Sequence, residues 1–327
     1  MTPQQISDKM DGLTVLVTGG AGFIGSNLVA ELLSLPIKEL RVLDDLSTGF
    51  MINLSEFEDN TKFHFTKGSI TDFKVCSDIC QGVDVVFHMA ALGSVPRSID
   101  NPVATNEVNV AGFVNVLTAA KDAGVKRLVY SSSSSVYGDD QTLPKVERSI
   151  GNALSPYAVS KRTNELYAKV FSNLYDIDVV GLRYFNVFGP KQSLKGPYSA
   201  VIPIFVSNLL KNQECCINGD GSISRDFTFV KNVVNANILA GLTDLDDTAS
   251  RLYNIAMGDQ ISLKGLYEAI ENEIQSGLSV GYNPPRVGDI SSSLASIELA
   301  MKDLKYKPEI EFEAGLKTTI DWYKANI

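Results

Sequence analysis

Short apolar runs alternate with amphipathic stretches through the first half of the chain. The apolar runs predict strands at residues 13–18, 39–43, 62–66, 83–88, 127–131 and 179–183. The amphipathic stretches predict helices at residues 24–34, 73–81, 108–123 and 156–174. Strands that alternate with helices form right-handed βαβ units and a parallel sheet that is covered on both faces. The pattern therefore predicts an α/β fold with a doubly wound parallel sheet.

The alternation becomes irregular from Asn186 onward, where loops rich in Gly, Pro and Asn separate the apolar runs. A chain of 327 residues, 44% of them hydrophobic, is long enough for one large domain or two intimate ones. We therefore expect a second, smaller lobe after the parallel sheet, without a clear linker.

The net charge of −9 argues against nucleic acid as a partner, because binding a polyanion draws on a surplus of Lys and Arg. A small anionic ligand needs only a few well-placed cations and stays possible. The four cysteines and two histidines lack the spacing of metal ligands, so no metal is expected. Residues 1–12 lack the apolar core of a secretory signal, and no apolar run approaches the ~20 residues of a membrane span. A cytoplasmic protein without membrane contact is expected.

A glycine-rich turn joins the first predicted strand to the first predicted helix. Gly19, Gly22 and Gly25 permit a tight turn, a close approach of backbone to pyrophosphate and close helix–strand packing. The helix N-terminus then offers free N–H groups to the phosphates. Asp44 ends the next strand, where a carboxylate accepts hydrogen bonds from a ribose 2′-OH and repels a 2′-phosphate. This pattern predicts that NAD, rather than NADP, is the cofactor.

Tyr157 and Lys161 lie four residues apart, on one face of the helix predicted to begin after Ser155. Tyrosine has a reference pKa of about 10, which is too high for an efficient base at neutral pH. A neighbouring ammonium and a positively charged nicotinamide ring both favour the phenolate. Tyr157 is therefore predicted as general base and Lys161 as its electrostatic partner. Taken alone, the pair would be read as an ordinary helix surface, and the upstream glycine turn favours catalysis.

These motifs resemble the extended short-chain dehydrogenase/reductases along essentially the whole chain. The resemblance rests on the G-x-x-G-x-x-G spacing, Tyr157-Ala-Val-Ser-Lys161, His88-Met-Ala-Ala-Leu92, Asn106 and Asn109, the serine run 131–135, and Arg183-Tyr-Phe-Asn186. It implies a cofactor site formed by Gly19, Gly22, Phe23, Ile24, Gly25, Asp44, Ala90, Ala91, Leu92, Asn106, Ser131, Tyr157, Lys161 and Tyr184. It also implies a Rossmann lobe of residues 1–185 and about 230–258, and a UDP-sugar lobe of 186–229 and 259–327.

Ser133 occupies the position of the family's substrate-contacting Ser or Thr and is expected to relay the proton of the reacting hydroxyl. The related dehydratases and decarboxylases carry acidic residues just after this position, where this chain has Ser134 and Ser135. Eliminating water requires an acid/base pair, which two serines cannot supply. The resemblance therefore favours oxidation and re-reduction without net loss of water.

The chain is most similar in this class to the UDP-hexose 4-epimerases. The implied substrate-binding residues are Gly93, Ser94, Ser133, Ser134, Ser135, Tyr157, Asn186, Val201, Asn218, Arg225, Arg286, Asp289 and Ser293. Arg225 and Arg286 would bind the diphosphate, whose oxygens suit the paired donors of guanidinium groups. Asp289 would hold the uridine ribose. Asn186 would reach the diphosphate or sugar, and Val201 and Asn218 the uracil.

Residues 91–98 and 131–135 look most like those of the UDP-N-acetylglucosamine and UDP-N-acetylglucosaminuronic acid 4-epimerases, which serve bacterial surface-polysaccharide synthesis. Ser293 stands where strict UDP-galactose epimerases carry a bulky residue, and leaves room for an acetamido group. Ser69 and Ser291 depart from the family, at positions that contact adenine and a sugar carboxylate. The expected reaction interconverts UDP-N-acetylglucosamine and UDP-N-acetylgalactosamine through a 4-keto intermediate.

Three alternatives stay open: a UDP-N-acetylglucosaminuronic acid 4-epimerase, a net oxidoreductase on a UDP-sugar, and an NAD-binding regulator without catalysis. The resemblance also implies a homodimer, in which the helices at 108–123 and 156–174 pair as a four-helix bundle. The alternative is that both helices simply cover the sheet.

Overall fold

One central sheet of seven parallel strands organises the molecule. The computed structural model describes residues 1–194, 200–246, 251–284 and 292–326. Within them the strands are β1 (Thr14–Thr18), β2 (Glu39–Asp44), β3 (Phe63–Lys67), β4 (Val85–His88), β5 (Arg127–Ser133), β6 (Asp178–Tyr184), β7 (Val187–Phe188), β8 (Cys215–Asn218), β9 (Ser224–Arg225), β10 (Thr228–Phe229), β11 (Leu252–Ile255), β12 (Ile261–Ser262) and β13 (Val280–Asn283). The sheet order is β11–β6–β5–β4–β1–β2–β3. This is the Rossmann order with one strand added beside β6, so the predicted fold class is confirmed.

Helices cover both faces of this sheet, and other helices pack against one another and against the short sheets of the later part of the chain. In chain order they are α1 (Pro3–Met10), α2 (Phe23–Leu33), α3 (Phe73–Ile79), α4 (Val95–Asp100), α5 (Pro102–Asn106), α6 (Phe113–Asp122), α7 (Pro156–Leu174), α8 (Val201–Leu210), α9 (Val230–Leu242), α10 (Leu263–Ile274) and α11 (Phe312–Asn326). A π-helical turn, Glu107–Gly112, continues α5 into α6. None of the described helices is long and apolar enough to cross a membrane.

The alternation of side chains along each strand divides the core into two layers. On β1, Val15 and Val17 pack in the layer that contains α2 and α9, whereas Leu16 packs with α3, α6 and the inner face of α7. Every residue of β1 is buried, as expected for a parallel strand that is covered on both faces. The apolar runs of the sequence therefore lie where two helical layers enclose the sheet.

Short sheets join the later part of the chain to this core. β8 pairs with β13, β9 with β12, and β7 with β10. The buried carboxylate of Asp226, just after β9, ties three segments together. Its Oδ1 accepts from the N–H of Met257 at 2.9 Å, and its Oδ2 from those of Gly258 at 3.1 Å and Ala295 at 3.2 Å. These bonds bring the segment after residue 291 back to the mouth of the sheet.

Candidate active site

A cavity of about 710 Å³ opens at the carboxyl ends of the central strands. It spans the point between β1 and β4 where the order of the strands reverses. Such a point is the usual ligand site of doubly wound folds. Its lining includes these predicted residues: Gly19, Gly22, Phe23, Ile24, Gly25, Asp44, Ala90, Ala91, Leu92, Gly93, Ser94, Ser131, Ser133, Tyr157, Lys161, Tyr184 and Asn186. The structure therefore brings thirteen of the fourteen predicted cofactor residues and five of the thirteen predicted substrate residues to one cavity.

The glycine turn packs without room for side chains. A Cβ on Gly19 would lie 2.5 Å from the Ala90 nitrogen, and one on Gly25 would lie 2.1 Å from the Gly19 oxygen. Gly22 caps α2 without a side-chain hydrogen bond, so the first N–H groups of this helix face the cavity uncapped. A pyrophosphate suits such a helix end, and these residues fit the phosphates of a dinucleotide.

Asp44 supports the glycine turn from the end of β2. Its Oδ2 accepts from the Ala21 N–H at 2.9 Å and its Oδ1 from the Leu46 N–H at 2.8 Å. Burial raises the pKa of this carboxyl above its usual range, and the two backbone bonds oppose that effect. Each carboxylate oxygen can accept more than one hydrogen bond, so Asp44 can still receive a ribose hydroxyl.

Tyr157 and Ser133 meet at the wall of the cavity. Tyr157 lies in the first turn of α7, which Ser155 caps by accepting from the Ala158 N–H at 3.1 Å. Ser133 ends β5, and its side chain lies close enough to Tyr157 to act on the pKa of the phenol. Burial raises the pKa of Tyr157 above its ordinary value, and the interaction with Ser133 lowers it. Two neighbouring hydroxyls of this kind are suited to relay a proton.

Lys161 lies one helical turn beyond Tyr157 and is buried. Its Nζ donates to the Ser131 carbonyl at 2.6 Å and to the Ser131 hydroxyl at 3.2 Å. Burial lowers the pKa of Lys161 to about 8. A cation held at the end of β5, beside the tyrosine, is suited to orient a ribose hydroxyl.

Two asparagines near the cavity take different positions. Asn109 is buried and fixes the loop after β4, since its Oδ1 accepts from the Leu92 N–H at 2.7 Å and its Nδ2 donates to the Leu92 carbonyl at 3.1 Å. Asn106, the predicted cofactor residue, is exposed at the end of α5 and does not line the cavity. Asn109 therefore acts on the cavity through the backbone of Leu92.

Three predicted substrate residues lie together near the cavity: Asn186 is part of its lining, whereas Arg225 and Ser293 are not. The Asn186 Nδ2 donates to the Ser293 hydroxyl at 3.2 Å and to the Asp226 carbonyl at 3.0 Å. Ser293 donates its own N–H to the Ser224 carbonyl at 3.2 Å. Arg225, on β9, is half-buried and donates to the Ser224 carbonyl at 2.9 Å. The segments of Asn186, Arg225 and Ser293 thus form one hydrogen-bonded group.

The other predicted substrate residues do not line the cavity or cannot be placed. Ser134, Ser135, Val201 and Asn218 are half-buried and lie outside the cavity lining. The Ser135 hydroxyl is buried and has no hydrogen-bond partner within the described part of the chain. Arg286 and Asp289, like the departing Ser291, lie outside the described residues.

The cavity also contains side chains that sequence reasoning did not select, among them Arg97, Gln192 and Ser193. Ser94 precedes Arg97 with a φ of 104°, a region that L-residues rarely adopt and that is often found at functional sites. Arg97 belongs to the sequence Val95-Pro-Arg-Ser98, which gives no direct sign that the arginine lines the cavity. Among the described residues, no group of three His, Cys, Asp or Glu side chains could hold a metal ion.

Known proteins resemble this chain over nearly its full length. The model of the "NAD dependent epimerase/dehydratase family" matches residues 15–256. The UDP-glucose 4-epimerase of Mycolicibacterium smegmatis is 36% identical over 314 residues, which are 95% of this chain and 99% of that relative.

Solved structures share the fold closely. The UDP-N-acetylglucosamine 4-epimerase from Methanobrevibacter ruminantium M1, in complex with UDP-N-acetylmuramic acid, superposes with a TM-score of 0.92 at 38% identity, covering 97% of this chain and 100% of that one. The UDP-glucose 4-epimerase of Thermus thermophilus, in complex with NAD, superposes with a TM-score of 0.84 at 31% identity, covering 96% and 100%. The resemblance to extended short-chain dehydrogenase/reductases is confirmed: the chain belongs to the NAD-dependent epimerase/dehydratase family, and NAD is its cofactor.

Proposed function

We propose that the protein is a UDP-sugar 4-epimerase that interconverts UDP-N-acetylglucosamine and UDP-N-acetylgalactosamine. The observation that carries the proposal is the meeting of Ser133, Tyr157 and Lys161 on the wall of the dinucleotide-type cavity. Serines, rather than acidic residues, follow Ser133, so the chain lacks at that point the acid/base pair that dehydration needs. Similarity to 4-epimerases over the whole chain supports the same reaction.

NAD, when bound, supplies a reversible hydride acceptor for C4 of the sugar. Tyr157 takes the proton of the 4-hydroxyl, and Ser133, beside it in the cavity lining, aligns that hydroxyl. Lys161 keeps positive charge near the phenolate that this role requires. Arg225 and Asn186 hold the nucleotide end while the 4-keto sugar turns, so that its opposite face is reduced. Firm contacts at the diphosphate and few at the sugar are what this turn requires.

The reaction is tested by incubating the protein with UDP-N-acetylglucosamine and no added cofactor. Epimerisation gives UDP-N-acetylgalactosamine without net NADH, because the cofactor is regenerated in each cycle. Accumulation of NADH would instead identify a net oxidoreductase. A protein that binds NAD but converts neither acetamido sugars, their uronic acids nor plain hexoses would be a regulator.

Substrate preference is tested by comparing kcat/KM for the acetamido, acetamido-uronate and plain hexose pairs. Ser293 is the proposed source of room for the acetamido group, and its hydroxyl also accepts from Asn186. Ser293→Tyr should reject acetamido sugars while plain hexoses still react. Ser293→Ala is the matched control, since it removes the same hydroxyl without adding bulk. Equal losses in both variants would show that the hydrogen bond, and not the space, determines preference.

We also propose that the protein is a homodimer that pairs through α7. Apolar side chains on the outer face of this helix are exposed: Val159, Leu166, Tyr167, Val170 and Leu174. Their spacing places them on one stripe, and a stripe of this kind on a helix whose other face is buried is typical of an interface.

A further inference from the structure

Glu165 is a buried carboxylate for which the proposed mechanism has no use. It lies one helical turn beyond Lys161 on α7, so that the two side chains share a face of the helix. Its Oε1 accepts from the Ser132 hydroxyl at 2.7 Å and from the Arg183 Nε at 2.8 Å. Its Oε2 accepts from the Arg183 Nη2 and the Arg162 Nη1, both at 2.9 Å. Four donors therefore fix this carboxylate in one orientation.

Ser132 is the middle residue of the segment that carries the reacting groups. Its neighbour Ser131 accepts both hydrogen bonds of Lys161, and its other neighbour Ser133 lines the cavity with Tyr157 and acts on the pKa of that tyrosine. Side chains alternate along a strand, so Ser132 points away from both and towards Glu165. The carboxylate thus ties the end of β5 to α7 at Ser132, which also lines the cavity.

Arg183 extends the same contact to β6. Its guanidinium is fully buried, pairs with Glu165 through two parallel hydrogen bonds and donates to the Glu147 carbonyl at 2.9 Å. Paired hydrogen bonds of this type fix geometry as well as charge. One set of hydrogen bonds therefore joins α7 to β5 and β6. It supports the positions of Tyr157, Ser133 and Lys161.

Glu165 also provides the negative charge that acts on Lys161. Burial lowers the pKa of Lys161 to about 8, and the charge of Glu165 opposes this effect. On β4, His88 is buried and neutral, its pKa lowered to about 3 by burial and by Lys161. On β5, burial raises the pKa of Tyr130 well above its usual value, so this phenol adds no charge.

Among the described residues, the other charged side chains near Lys161 and Glu165 are two arginines that bind the carboxylate. Arg162, on α7, and Arg183, on β6, both bind Glu165, and neither contacts Lys161. Tyr157, on the same helix, stays neutral until it gives up its proton. Replacing Glu165 by a neutral residue should therefore lower the pKa of Lys161.

We propose that Glu165 is a positioning residue for the epimerase reaction, acting through the end of β5 and through the charge of Lys161. The proposal rests on the proposed roles of Tyr157 and Lys161. It has two separable consequences, one for the placement of Ser133 and one for the protonation of the lysine.

The electrostatic consequence is tested with Glu165→Gln, which keeps the shape of the side chain and removes its charge. A heteronuclear NMR titration follows the lysine ammonium signals, and the signal missing in Lys161→Met identifies Lys161. Its pKa should fall by on the order of one unit in Glu165→Gln. Because the reaction needs a charged lysine, activity is lost as pH rises through this pKa. The alkaline limb of kcat should therefore move to lower pH by a similar amount.

Arg162→Gln is the matched control, because it removes a half-exposed donor from the same carboxylate and leaves the pair with Arg183 in place. Its Lys161 titration and alkaline limb should match the wild type. Ser132→Ala tests placement alone: kcat should fall on the order of tenfold, with KM and the Lys161 titration unchanged. A kcat within twofold of wild type in Ser132→Ala would overturn the placement role.

A Lys161 titration that is the same in Glu165→Gln and wild type would overturn the electrostatic role. Removing one partner of a buried ion pair can prevent folding, whereas replacing both is often tolerated. The double variant Glu165→Gln/Arg183→Met therefore repeats the titration if the single variant does not fold. The titration needs no turnover. A wild-type protein that fails to epimerise any UDP-hexose would count against the proposed function and leave this result readable.

Discussion

The hydroxyl of Tyr157 is the group on which the proposed chemistry depends most directly. It lies beside Ser133, and burial raises its pKa while the interaction with Ser133 lowers it. Lys161 is expected to favour the phenolate, and its Nζ, held by the Ser131 carbonyl, lies 5.9 Å from the centre of the Tyr157 ring. The positive nicotinamide ring is the other charge expected to favour the phenolate. The strength of Tyr157 as a base is therefore expected to depend on whether the cofactor is oxidised or reduced.

Tyr157→Phe removes the base and keeps the ring that packs in the cavity wall. We expect kcat to fall by about 10²–10⁴-fold, the usual contribution of a positioned general base. NAD should stay bound, because the glycine turn and Asp44 are untouched. Steady-state kinetics and the NAD content of the purified variant measure both effects. Activity within a few fold of wild type would rule out Tyr157 as the base.

Asp226 is the buried carboxylate that connects the later segments to the sheet, and we expect Asp226→Asn to destabilise the protein. The amide group would face N–H donors that now bind carboxylate oxygens, including those of Gly258 and Ala295. Leaving buried donors unpaired costs about 1–3 kcal/mol each, so the free energy of unfolding should fall by at least ~2 kcal/mol. Chemical denaturation measures the change.

Asp220→Asn is the matched control for Asp226→Asn. Asp220 is exposed in the same region, and among the described residues it accepts only from Ser222, so its replacement should change the free energy of unfolding by less than about 0.5 kcal/mol. Similar losses in the two variants would mean that burial of the Asp226 carboxylate does not decide the result.

At this scale, sequence reasoning found the groups that local spacing reveals and missed those paired over long distances. Tyr157 and Lys161 share a helix face, so four residues of spacing were enough to link them. Arg183 was read only as part of a motif, because its partner Glu165 is 18 positions away on another element. Asp226 meets Met257 and Ala295 only after the chain has folded back. Contacts of this kind leave no periodic pattern.

Among the elements, the turn between β1 and α2 combines a positive φ with a close backbone approach. Gly19 has a φ of 70°, and a Cβ there would meet the Ala90 nitrogen at 2.5 Å. Gly82 has a φ of 69° but nothing within 4 Å of a Cβ. The two glycines therefore share a positive φ that would strain an alanine, and they differ in crowding.

Gly19→Ala should weaken NAD binding by at least tenfold, because the turn must shift away from Ala90 and carry the N-terminus of α2 with it. Gly82→Ala is its control: it should lower the free energy of unfolding by about 1 kcal/mol through its positive φ and leave the Kd for NAD unchanged. Isothermal titration with NAD measures the Kd of both variants. Equal affinities in the two variants would show that crowding at the turn does not determine cofactor binding.

The elements of the sheet were predictable where one strand follows another through a single helix. β1 to β6 lie within two residues of the predicted strands, because buried parallel strands are continuous apolar runs. β11 was missed as a strand of this sheet, since it returns to β6 after a long excursion through the second half of the chain. The helix predicted at 108–123 begins instead as the π-helical turn Glu107–Gly112, which hydrophobic periodicity does not distinguish from an α-helix.

For the whole molecule, the charge of −9 and the exposed stripe on α7 constrain partners in different ways. The charge disfavours a polyanion, while Lys161, Arg225 and the N-terminus of α2 provide local positive sites suited to small nucleotides. The stripe is apolar and lies outside the cavity lining, on the outer face of the helix that carries Tyr157. A partner copy there would stabilise α7 from outside.

Leu166→Asp should convert the proposed dimer into a monomer, because a carboxylate in an apolar interface loses its water without gaining a partner. Leu166 is 52% exposed, and Met301, on another surface turn, is 50% exposed, so Met301→Asp is a control of matched exposure. Light scattering coupled to size-exclusion chromatography should give two chains per particle for wild type and Met301→Asp, and one for Leu166→Asp. A wild-type protein that elutes as a monomer at every concentration would contradict the dimer. If Leu166→Asp also lowers kcat while NAD stays bound, pairing through α7 supports the placement of Tyr157.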